Sequence, residues 1–497
     1  MVLLVTGQAR NENWVYSKDV WLNFSSGALN WQSSNYQPSL RSASISDVLG
    51  NFLMLADDGG IHGPLFDLMS GGDSLALNWT QPSSNYLILP KPGAGEHYIV
   101  VRIELAGERR AGWVEVDMEA NSGSGVVLGT TAWYASNVTA KMAATLNAAG
   151  DGYWIVQHED GSDAFLAYAL DSSGMAPFPV ISHAGSAFAS TTYPTMHTDF
   201  AGPMNFSVDG NKLALAQMEG TVPDTSQLAL FHFDALVGTV EAWCTLNYKL
   251  WHWNGAPEYI YLDGQTTAGV EFDASGMHLY ASAWDTLSPG IGNLYAQFTI
   301  PTDQDQMAIQ ESGTLVYGNG NGTGGAVNDP SGTQIHLAPN GRLYGRQVST
   351  DANEFYPLIF ELCNLPVPEI PTGPPAVQTN IFQILSGTHS DGFPTMSKRY
   401  HDSAPEWLGL SSGNPVKSVV QVRPCPMLDE AVLFMPMNDK ADAVEWYSTA
   451  GVKLRVGSIQ MNGPSFVMDR YGLPAGVYYL RILYHSRLVG QTKVVCR

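Results

Sequence analysis

Two short segments contain the side chains best suited to contact a ligand. Trp251 and Trp253 flank His252 in a segment with strand character, so both indoles are expected on one side of the strand. An exposed pair of indoles would stack on a sugar ring, whereas a buried pair would pack between sheets. His158 and Glu159 end another predicted strand and could act as an acid/base or ligand-binding pair, or hydrogen-bond the following loop.

Motifs that would carry catalysis or hold a metal are weak. Gly409–Gly413 has the letters of a nucleophile elbow, but the Asn-Pro that follows cannot continue into the helix that such an elbow requires. Asp57-Asp58-Gly-Gly could bind Ca²⁺, yet it lacks the alternating carboxylates of a dedicated loop and is typical of a turn. No spacing of His, Cys, Asp and Glu matches a metal site. We therefore predict no catalytic residue, no metal and no cofactor.

The elements that would position these residues recur along the chain as hairpins. Each unit has an apolar strand, a turn with Asp-Gly, Ser-Gly or Asn-Gly, and a second apolar strand, with glycine supplying the positive φ of the turn. The clearest copies are 206–215, 272–281 and 337–344, and looser copies are 45–54, 87–101 and 146–155. Their starts lie 42 to 66 residues apart, which is the spacing of four-stranded propeller blades.

These repeats predict an all-β chain in which residues 10–365 form a six- or seven-bladed β-propeller. Six hairpins give six blades, and the segment from Trp14 to Phe24 would close a seventh. A blade buries its faces only by stacking on its neighbours, and the 13 tryptophans would fill the wedges between blades.

Several segments of this region have recognisable sequence. Near the start are Asn13–Gly27 and Ala43–Leu53, in the middle is 141–170, and later come Gly269–Phe272 and Leu337–Gly341. Together they resemble a propeller domain found in secreted Bacteroidetes proteins. The resemblance covers residues 10–365 and implies a propeller fold, but it implies no catalytic activity.

Composition divides the remaining residues into three segments. Residues 1–9 are apolar and end in a small residue, so they are either the remnant of a signal peptide or a first strand. Residues 366–418 begin with a proline-rich stretch and continue as a polar linker, which we expect to fold partly over the following domain. Residues 419–497 alternate apolar and polar residues in short strands, which predicts a small β-sandwich.

The tail carries a second resemblance. Val444–Val452, Asp469, Leu473–Ile482 and Thr492–Val495, in this order, resemble the type A C-terminal sorting domain of the type IX secretion system. The resemblance implies recognition by the type IX secretion machinery at the outer membrane, followed by display on the cell surface or release from the cell. The signal residues that it implies are Gly451, Leu473, Pro474, Gly476, Tyr478 and Arg481.

Two cysteines bracket the tail. Arg423-Pro-Cys-Pro426 stands where that family usually has Pro-Asn-Pro, which places Cys425 at one end of the tail and Cys496 at the other. In an oxidising compartment the two cysteines could form a disulfide. The alternative is a pair of free thiols, and the sequence leaves both open.

The charge balance limits the partners of the chain. With 24 basic and 46 acidic residues the net charge is −22. Residues 419–497 have nine basic and six acidic residues, a charge of +3, which leaves −25 for the rest. Such a chain repels phosphate backbones, so we exclude nucleic acid as a partner. No run of ~18 apolar residues is present, so we predict no transmembrane segment.

These observations favour a non-enzymatic binding or adhesion protein, exported across the outer membrane, whose blade-end loops engage a glycan or a protein. Two alternatives stay open: a secreted hydrolase or lyase with His158 in the propeller funnel, and a structural subunit of a surface layer or filament. A funnel pocket with convergent titratable groups would favour the enzyme. An exposed tryptophan on a rim would favour binding, and a self-complementary apolar patch would favour assembly.

Overall fold

Strands make up nearly all of the regular structure in the computed structural model, so the fold is all-β, as predicted. The structure describes residues 8–17, 20–24, 30–32, 36–38, 42–75, 85–104, 109–188, 204–217, 227–247, 249–253, 257–261, 265–285, 293–300, 305–318, 335–351, 354–362, 382–383, 396–397, 421–423, 430–434, 443–447, 453–458, 465–469, 473, 476–484 and 487–496. The chain divides into two units, Met1–Asp402 (unit 1) and Ser403–Arg497 (unit 2). Among the described residues, no helix is long and apolar enough to cross a membrane.

Seven sheets, here named A to G, follow one another in the described residues of unit 1. Sheet A contains β1 Asn13–Ser17, β2 Val20–Asn23 and β3 Asn30–Gln32, and sheet B contains β4 Ser42–Ser46, β5 Phe52–Asp57 and β6 Gly60–His62. Sheet C contains β7 Asn85–Pro90, β8 His97–Glu104, β9 Arg110–Asp117 and β10 Val126–Ser136. Sheet D contains β11 Val138–Leu146, β12 Tyr153–Glu159, β13 Ser162–Asp171, β14 Gly174–Met175 and β15 Val180–Phe188.

The remaining sheets of unit 1 follow the same order. Sheet E contains β16 Met204–Phe206, β17 Lys212–Gln217, β18 Gln227–Asp234 and β19 Thr239–Leu246. Sheet F contains β20 Lys249–Trp253, β21 Pro257–Tyr261, β22 Gln265–Phe272, β23 His278–Asp285, β24 Asn293–Thr299 and β25 Thr314–Gly318. Sheet G contains β26 Ile335–Leu337, β27 Leu343–Asp351, β28 Glu354–Leu362 and β29 Phe382–Gln383. The short helices are the 3-10 turns Gln8–Asn11, Gly72–Leu75 and Asn121–Gly123, and α1 Gln306–Glu311.

The predicted hairpins are confirmed in sheets B to G. Each joins two neighbouring antiparallel strands, from β4–β5 to β26–β27. The turn glycines have positive φ, as the turns require: Gly50, Gly93, Gly95, Gly150, Gly210, Gly276 and Gly341. Asp273 shows how a neighbouring carboxylate supports such a turn, because its Oδ1 accepts the backbone N–H groups of Met277 and His278, each at 3.1 Å.

Each sheet of unit 1 packs against the next, and the last packs against the first. Contacts join the strands β1 and β4, β4 and β7, β7 and β11, β11 and β16, β16 and β22, and β22 and β26. Sheets G and A meet in an aromatic cluster, where the Trp14 ring centroid lies 4.7 Å from that of Phe24 and 6.3 Å from that of Tyr344. The sheets therefore form a closed cycle of neighbours.

Polar side chains connect the terminal strands of successive sheets. The terminal strand of a sheet has one edge without a strand partner, and its buried carbonyl groups need donors from elsewhere. Asn85 Nδ2 of sheet C donates to the carbonyl of Ala140 in sheet D at 3.0 Å. Asn205 Nδ2 of sheet E donates to the carbonyl of Val270 in sheet F at 2.7 Å. In both cases a side-chain amide of one sheet donates a hydrogen bond to a carbonyl on the unpaired edge of the next sheet.

Glu271 and His336 form a buried pair between sheets F and G. Glu271 is fully buried, and its Oε2 lies 3.2 Å from His336 Nδ1 and accepts the backbone N–H of Leu337 at 3.2 Å. The His336 ring also packs against Trp14 of sheet A, with the ring centroids 4.9 Å apart. This pair and its aromatic neighbour therefore connect three sheets where the cycle closes.

Part of the predicted linker belongs to unit 1. Strand β29 pairs with β28 in sheet G, and Met396 packs in the cluster around Trp14. Ser397 Oγ donates to the carbonyl of Ala144 in sheet D at 3.3 Å, and its own carbonyl accepts Asn11 Nδ2 at 2.9 Å. The described residues of this segment, 382–383 and 396–397, pack on the preceding unit, and the expectation that the segment folds partly over the following domain stays a prediction.

Unit 2 has two antiparallel sheets in its described residues. One sheet has the order β30 Gln421–Arg423, β31 Glu430–Phe434 and β34 Ser465–Asp469. The other has the order β33 Lys453–Ser458, β32 Ala443–Tyr447, β35 Gly476–Tyr484 and β36 Arg487–Cys496. Trp446, Leu480 and Ile482 are buried, which gives this sheet an apolar face.

Replacing His336 by leucine should strongly destabilise unit 1, because the Glu271 carboxyl group would stay buried without its imidazole partner. Removing one member of a buried pair costs about 3–5 kcal/mol. Urea unfolding followed by tryptophan fluorescence measures the loss. The control is His183→Leu, since His183 and Asp163 form an exposed pair at 2.7 Å, whose loss should change little. Equal effects of the two substitutions would contradict the role assigned to Glu271 and His336.

Candidate functional site

Trp133 on β10 lies on the surface of sheet C and is 36% exposed. The register places Trp133 directly opposite Gly112 on β9, and Gly112 directly opposite Arg102 on β8. Cross-strand partners project from the same face of a sheet, so the indole lies in one row with Arg102. A Cβ atom at position 112 would lie 2.7 Å from Trp133 Cε3 and 2.6 Å from Thr131 Cγ2. Glycine at this position therefore allows the indole to lie across β9.

The strand that carries Trp133 is irregular on both sides of it. The pairing of β10 with β9 shifts register between Leu128 and Ala132 and again between Trp133 and Ala135. Bulges of this kind change the direction in which a side chain points and are frequent at functional sites. The two register shifts of β10 therefore flank the residue whose indole lies across β9.

Two guanidinium groups contact the Trp133 ring. The Cζ atom of Arg110 lies 3.7 Å from the ring centroid, and that of Arg102 lies 4.9 Å from it. Arg110 Nε also donates to Glu104 Oε2 at 2.9 Å. The cation–π contact and the ion pair together hold the Arg110 guanidinium in one orientation. We call Trp133, Arg110, Glu104 and Gly112 the Trp133 surface.

Arg102 differs from Arg110 in its burial. The residue is 5% exposed, and burial lowers the pKa of its guanidinium, while the nearby Tyr86 and Glu104 raise it. The side chain of Arg110, in contrast, is 34% exposed. The indole therefore contacts one buried cation and one cation that solvent can reach.

A second polar cluster lies at the end of β5 and β6 in sheet B. Tyr36 Oη lies 3.0 Å from Asp57 Oδ2 and 2.9 Å from His62 Nε2. The Nδ1 atom of His62 lies 3.2 Å from the carbonyl of Phe66, and Asp57 Oδ1 accepts the backbone N–H of Gly59 at 2.8 Å. Burial, assisted by Asp57, raises the pKa of the Tyr36 phenol above its ordinary value. The phenol is therefore a neutral hydrogen-bonding group.

The segment Asp57-Asp58-Gly-Gly is a turn between β5 and β6, as predicted. Asp58 Oδ1 accepts the hydroxyl of Tyr86 at 3.0 Å, which connects this turn to sheet C. Phe66 holds the unusual φ of 63° and stacks on Tyr36, with ring centroids 5.4 Å apart. The carboxylates at this turn are thus already hydrogen-bonded within the protein.

The structure places the predicted pair His158 and Glu159 in different environments. His158 is fully buried, and its ring packs edge-on against Phe165 at 4.9 Å between centroids. Burial, with a smaller effect of the nearby Lys141, lowers the pKa of His158 to about 3. Glu159 is half-buried. The burial of His158 favours a packing role, and ligand binding by the pair stays a prediction.

The other predicted ligand contacts lie on β20. Trp251 and Trp253 are in this strand, as their pattern predicted. Their side chains lie outside the described part of the structure. The choice between sugar stacking and packing between sheets therefore stays open for this pair.

The structure describes four of the six residues implied as sorting signals. Three of them lie in β35: Gly476, Tyr478 and Arg481. Tyr478 is buried and its ring packs edge-on against Trp446, with centroids 5.9 Å apart. Leu473 is half-buried, whereas Gly451 and Pro474 lie outside the described residues.

The predicted cysteine pair is only partly described. Cys496 ends β36, and Cys425 lies outside the described residues, so a disulfide between them stays a prediction. Cys244 of β19 is a buried free cysteine, and burial raises the pKa of its thiol to about 11. Such a thiol is unreactive at physiological pH.

The sequence analysis did not select the Trp133 surface. The sequence feature that could have indicated this surface is Gly112, because a glycine inside a strand often marks the close approach of another group. Trp133 and Arg110 are 23 residues apart, and only the pairing of β9 with β10 brings them together.

Comparisons with known proteins identify no family for the chain. No family model and no curated protein matches it. Among solved structures, it is similar to a candidate 6-phosphogluconolactonase from Bacteroides uniformis, with 14% identity and a TM-score of 0.34 over 89% of this chain and 94% of the other. It is also similar to a DUF4623 family protein from Bacteroides eggerthii, with 11% identity and a TM-score of 0.29 over 71% of this chain and 69% of the other. These values are too low to transfer an activity.

A further similarity is to a chain of a humanized mutant of Polycomb Repressive Complex 2 from Chaetomium thermophilum. The identity is 10% and the TM-score is 0.35, over 79% of this chain and 70% of the other. The three similar structures have unrelated names, and at this level of identity none of them indicates what the chain binds.

The buried His158 should make the protein less stable in acid. Since its pKa is lowered to about 3 in the folded state, only the unfolded chain binds this proton between about pH 6.5 and pH 3. The free energy of unfolding should therefore be unaffected by this group above about pH 6.5. As the pH falls from there towards the folded-state pKa of about 3, it should decrease by about 1.4 kcal/mol per pH unit. His158→Gln should flatten this part of the stability profile, measured by urea unfolding from pH 7 to pH 3. His183→Gln is the control, because His183 is exposed. Identical slopes of unfolding free energy against pH in the wild type and both variants would refute the assignment of the acid sensitivity to His158.

Proposed function

We propose that the chain is an exported binding protein that holds a carbohydrate on the Trp133 surface. The observation that carries this proposal is an exposed indole that is fixed across Gly112 and contacted by two guanidinium groups. An indole packs against the apolar face of a sugar ring, here through the part of the ring that the Arg110 guanidinium leaves exposed, while arginine donors bind the sugar oxygens. The geometry therefore supports recognition rather than bond cleavage.

In this proposal, unit 1 is a seven-bladed β-propeller. The proposal is supported by the seven successive sheets and by the closed cycle of contacts, in which sheet G meets sheet A at Trp14 and Tyr344. The first strands of successive sheets contact one another, which is the arrangement expected around a central axis. Sheet F would be a blade of four strands that carries β20 and β21 as an additional hairpin.

Unit 2 serves as the export signal in this proposal and would form the predicted β-sandwich. The proposal is supported by the separation of residues 403–497 from unit 1 and by their two antiparallel sheets. It is also supported by the resemblance of the tail to type A sorting domains and by its positive charge in an acidic chain. The type IX secretion machinery at the outer membrane would recognise this unit and deliver unit 1 to the cell surface or the medium.

The alternative functions receive less support from the described residues. For a hydrolase or lyase, the polar groups of Tyr36, Asp57 and His62 are bound to one another, and His158 is buried. For a filament subunit, the most exposed apolar side chains lie at three different sheets and not in one patch: Leu65, Phe178 and Leu236. Binding at an exposed tryptophan is therefore the best supported of the three functions.

Trp133→Ala should reduce carbohydrate binding at least about tenfold, because truncating a central aromatic contact typically costs more than a kilocalorie. A glycan array followed by titration with the retained glycans measures this. Phe178→Ala, which truncates an aromatic side chain that is 82% exposed in the loop between β14 and β15, should leave binding unchanged. Gly112→Val should reproduce the loss while keeping Trp133, since the added atoms displace the indole. Retention of no glycan, or equal binding by Trp133→Ala and Phe178→Ala, would reject the proposed site.

Deleting residues 419–497 should abolish export, because the machinery at the outer membrane would have no signal to recognise. Expressed in a bacterium with a type IX secretion system, the shortened protein is expected in the periplasm and the full chain at the surface or in the medium. Cell fractionation with immunoblotting measures the distribution. Unchanged secretion of the shortened protein would contradict the assignment of unit 2.

A further inference from the structure

Arg110 of the Trp133 surface is partly exposed and has N–H donors without a partner among the described residues. Arg110 Nε donates to Glu104, and the indole of Trp133 supports the guanidinium at 3.7 Å. In the described part of the chain, Nη1 and Nη2 of Arg110 make no hydrogen bond. Since the side chain is 34% exposed, these two groups are available to a ligand.

The arrangement matches one chemical group in particular. The N–H groups of a guanidinium are planar and fork-shaped, and they bind both oxygens of a carboxylate at once. Because Trp133 and Glu104 already hold the guanidinium of Arg110, binding would cost little side-chain entropy. A lysine at the same position would supply a charge without this planar pair of donors.

We propose that the Trp133 surface binds acidic sugars of the uronic acid class. The sugar carboxylate accepts hydrogen bonds from Nη1 and Nη2 of Arg110, and the sugar ring contacts the exposed part of the Trp133 indole. This inference rests on the proposed carbohydrate-binding function and names its ligand class.

The charges around the site are balanced. The two cations Arg102 and Arg110 have two acidic neighbours, Asp58 and Glu104. The chain as a whole carries a net charge of −22, so it repels polyanions at a distance. Binding of an acidic sugar must therefore depend on directed hydrogen bonds at this surface, and non-specific adhesion of a polyanion is disfavoured.

Oligogalacturonate and its fully methyl-esterified form test this inference, since they share a sugar backbone and differ in the charge of the carboxyl group. Isothermal titration of the full chain should show at least about tenfold tighter binding of the acid form, as expected for charge-assisted hydrogen bonds. Arg110→Lys should lose about tenfold in affinity for the acid form and leave the ester unaffected. The control is Arg342→Gln, an exposed arginine on the turn between β26 and β27, which should bind like the wild type.

Glu104→Gln distinguishes the effect of Glu104 on the orientation of Arg110 from the effect of its negative charge. If Glu104 orients Arg110, this variant binds the acid form more weakly, although it removes a negative charge close to the ligand. Tighter binding by Glu104→Gln would overturn the orienting role of Glu104. Circular dichroism and thermal unfolding of each variant establish that the fold is retained.

The outcomes distinguish this inference from the proposed function. Equal affinity of the wild type for acid and ester, or an unchanged affinity of Arg110→Lys, would overturn the assignment to acidic sugars and leave carbohydrate binding intact. Failure to retain any glycan, or unchanged glycan binding by Trp133→Ala, would overturn the proposed function itself.

Discussion

The open edges of the terminal strands are the constraint on which the rest of unit 1 depends. A buried carbonyl without a donor costs free energy comparable to a lost hydrogen bond, so an edge inside the protein must find partners. Here the partners come from the neighbouring sheet, as in the bonds from Asn85 to Ala140 and from Asn205 to Val270. Each sheet therefore needs its neighbour for polar as well as apolar reasons. A cycle of sheets gives each terminal strand a neighbouring sheet from which such donors can come.

The candidate site depends on that stable arrangement, although it lies on the surface. Sheet C is held at β7 by its neighbours, and its strands β8, β9 and β10 then carry Arg102, Gly112 and Trp133 side by side. The register shifts around Trp133 and the small size of Gly112 together allow the indole to cover its neighbouring strand. A rigid sheet thus presents an aromatic ring and Arg110 in one fixed orientation, which is what selective recognition requires.

Burial decides the role of the histidines. His158 is buried against Phe165 and has a pKa lowered to about 3, so it behaves as part of the core. His336 is buried beside Glu271 and connects sheets at the closure. His183 pairs with an aspartate at the surface, where water screens the interaction. The same side chain is therefore a core group, a buried ionisable partner or a surface group, and its type alone does not distinguish these roles.

The sequence by itself determined the local structure of the chain. Turn glycines predicted the hairpins correctly, and the recurring apolar strands on either side of them predicted an all-β chain, because backbone dihedrals and strand faces depend on residues only a few positions apart. The tertiary structure alone decided that Trp133 lies across Gly112, that His158 is buried, and that Ser397 returns to sheet D. These features depend on strand register and on contacts between residues distant in the chain, and no local preference of the backbone encodes them.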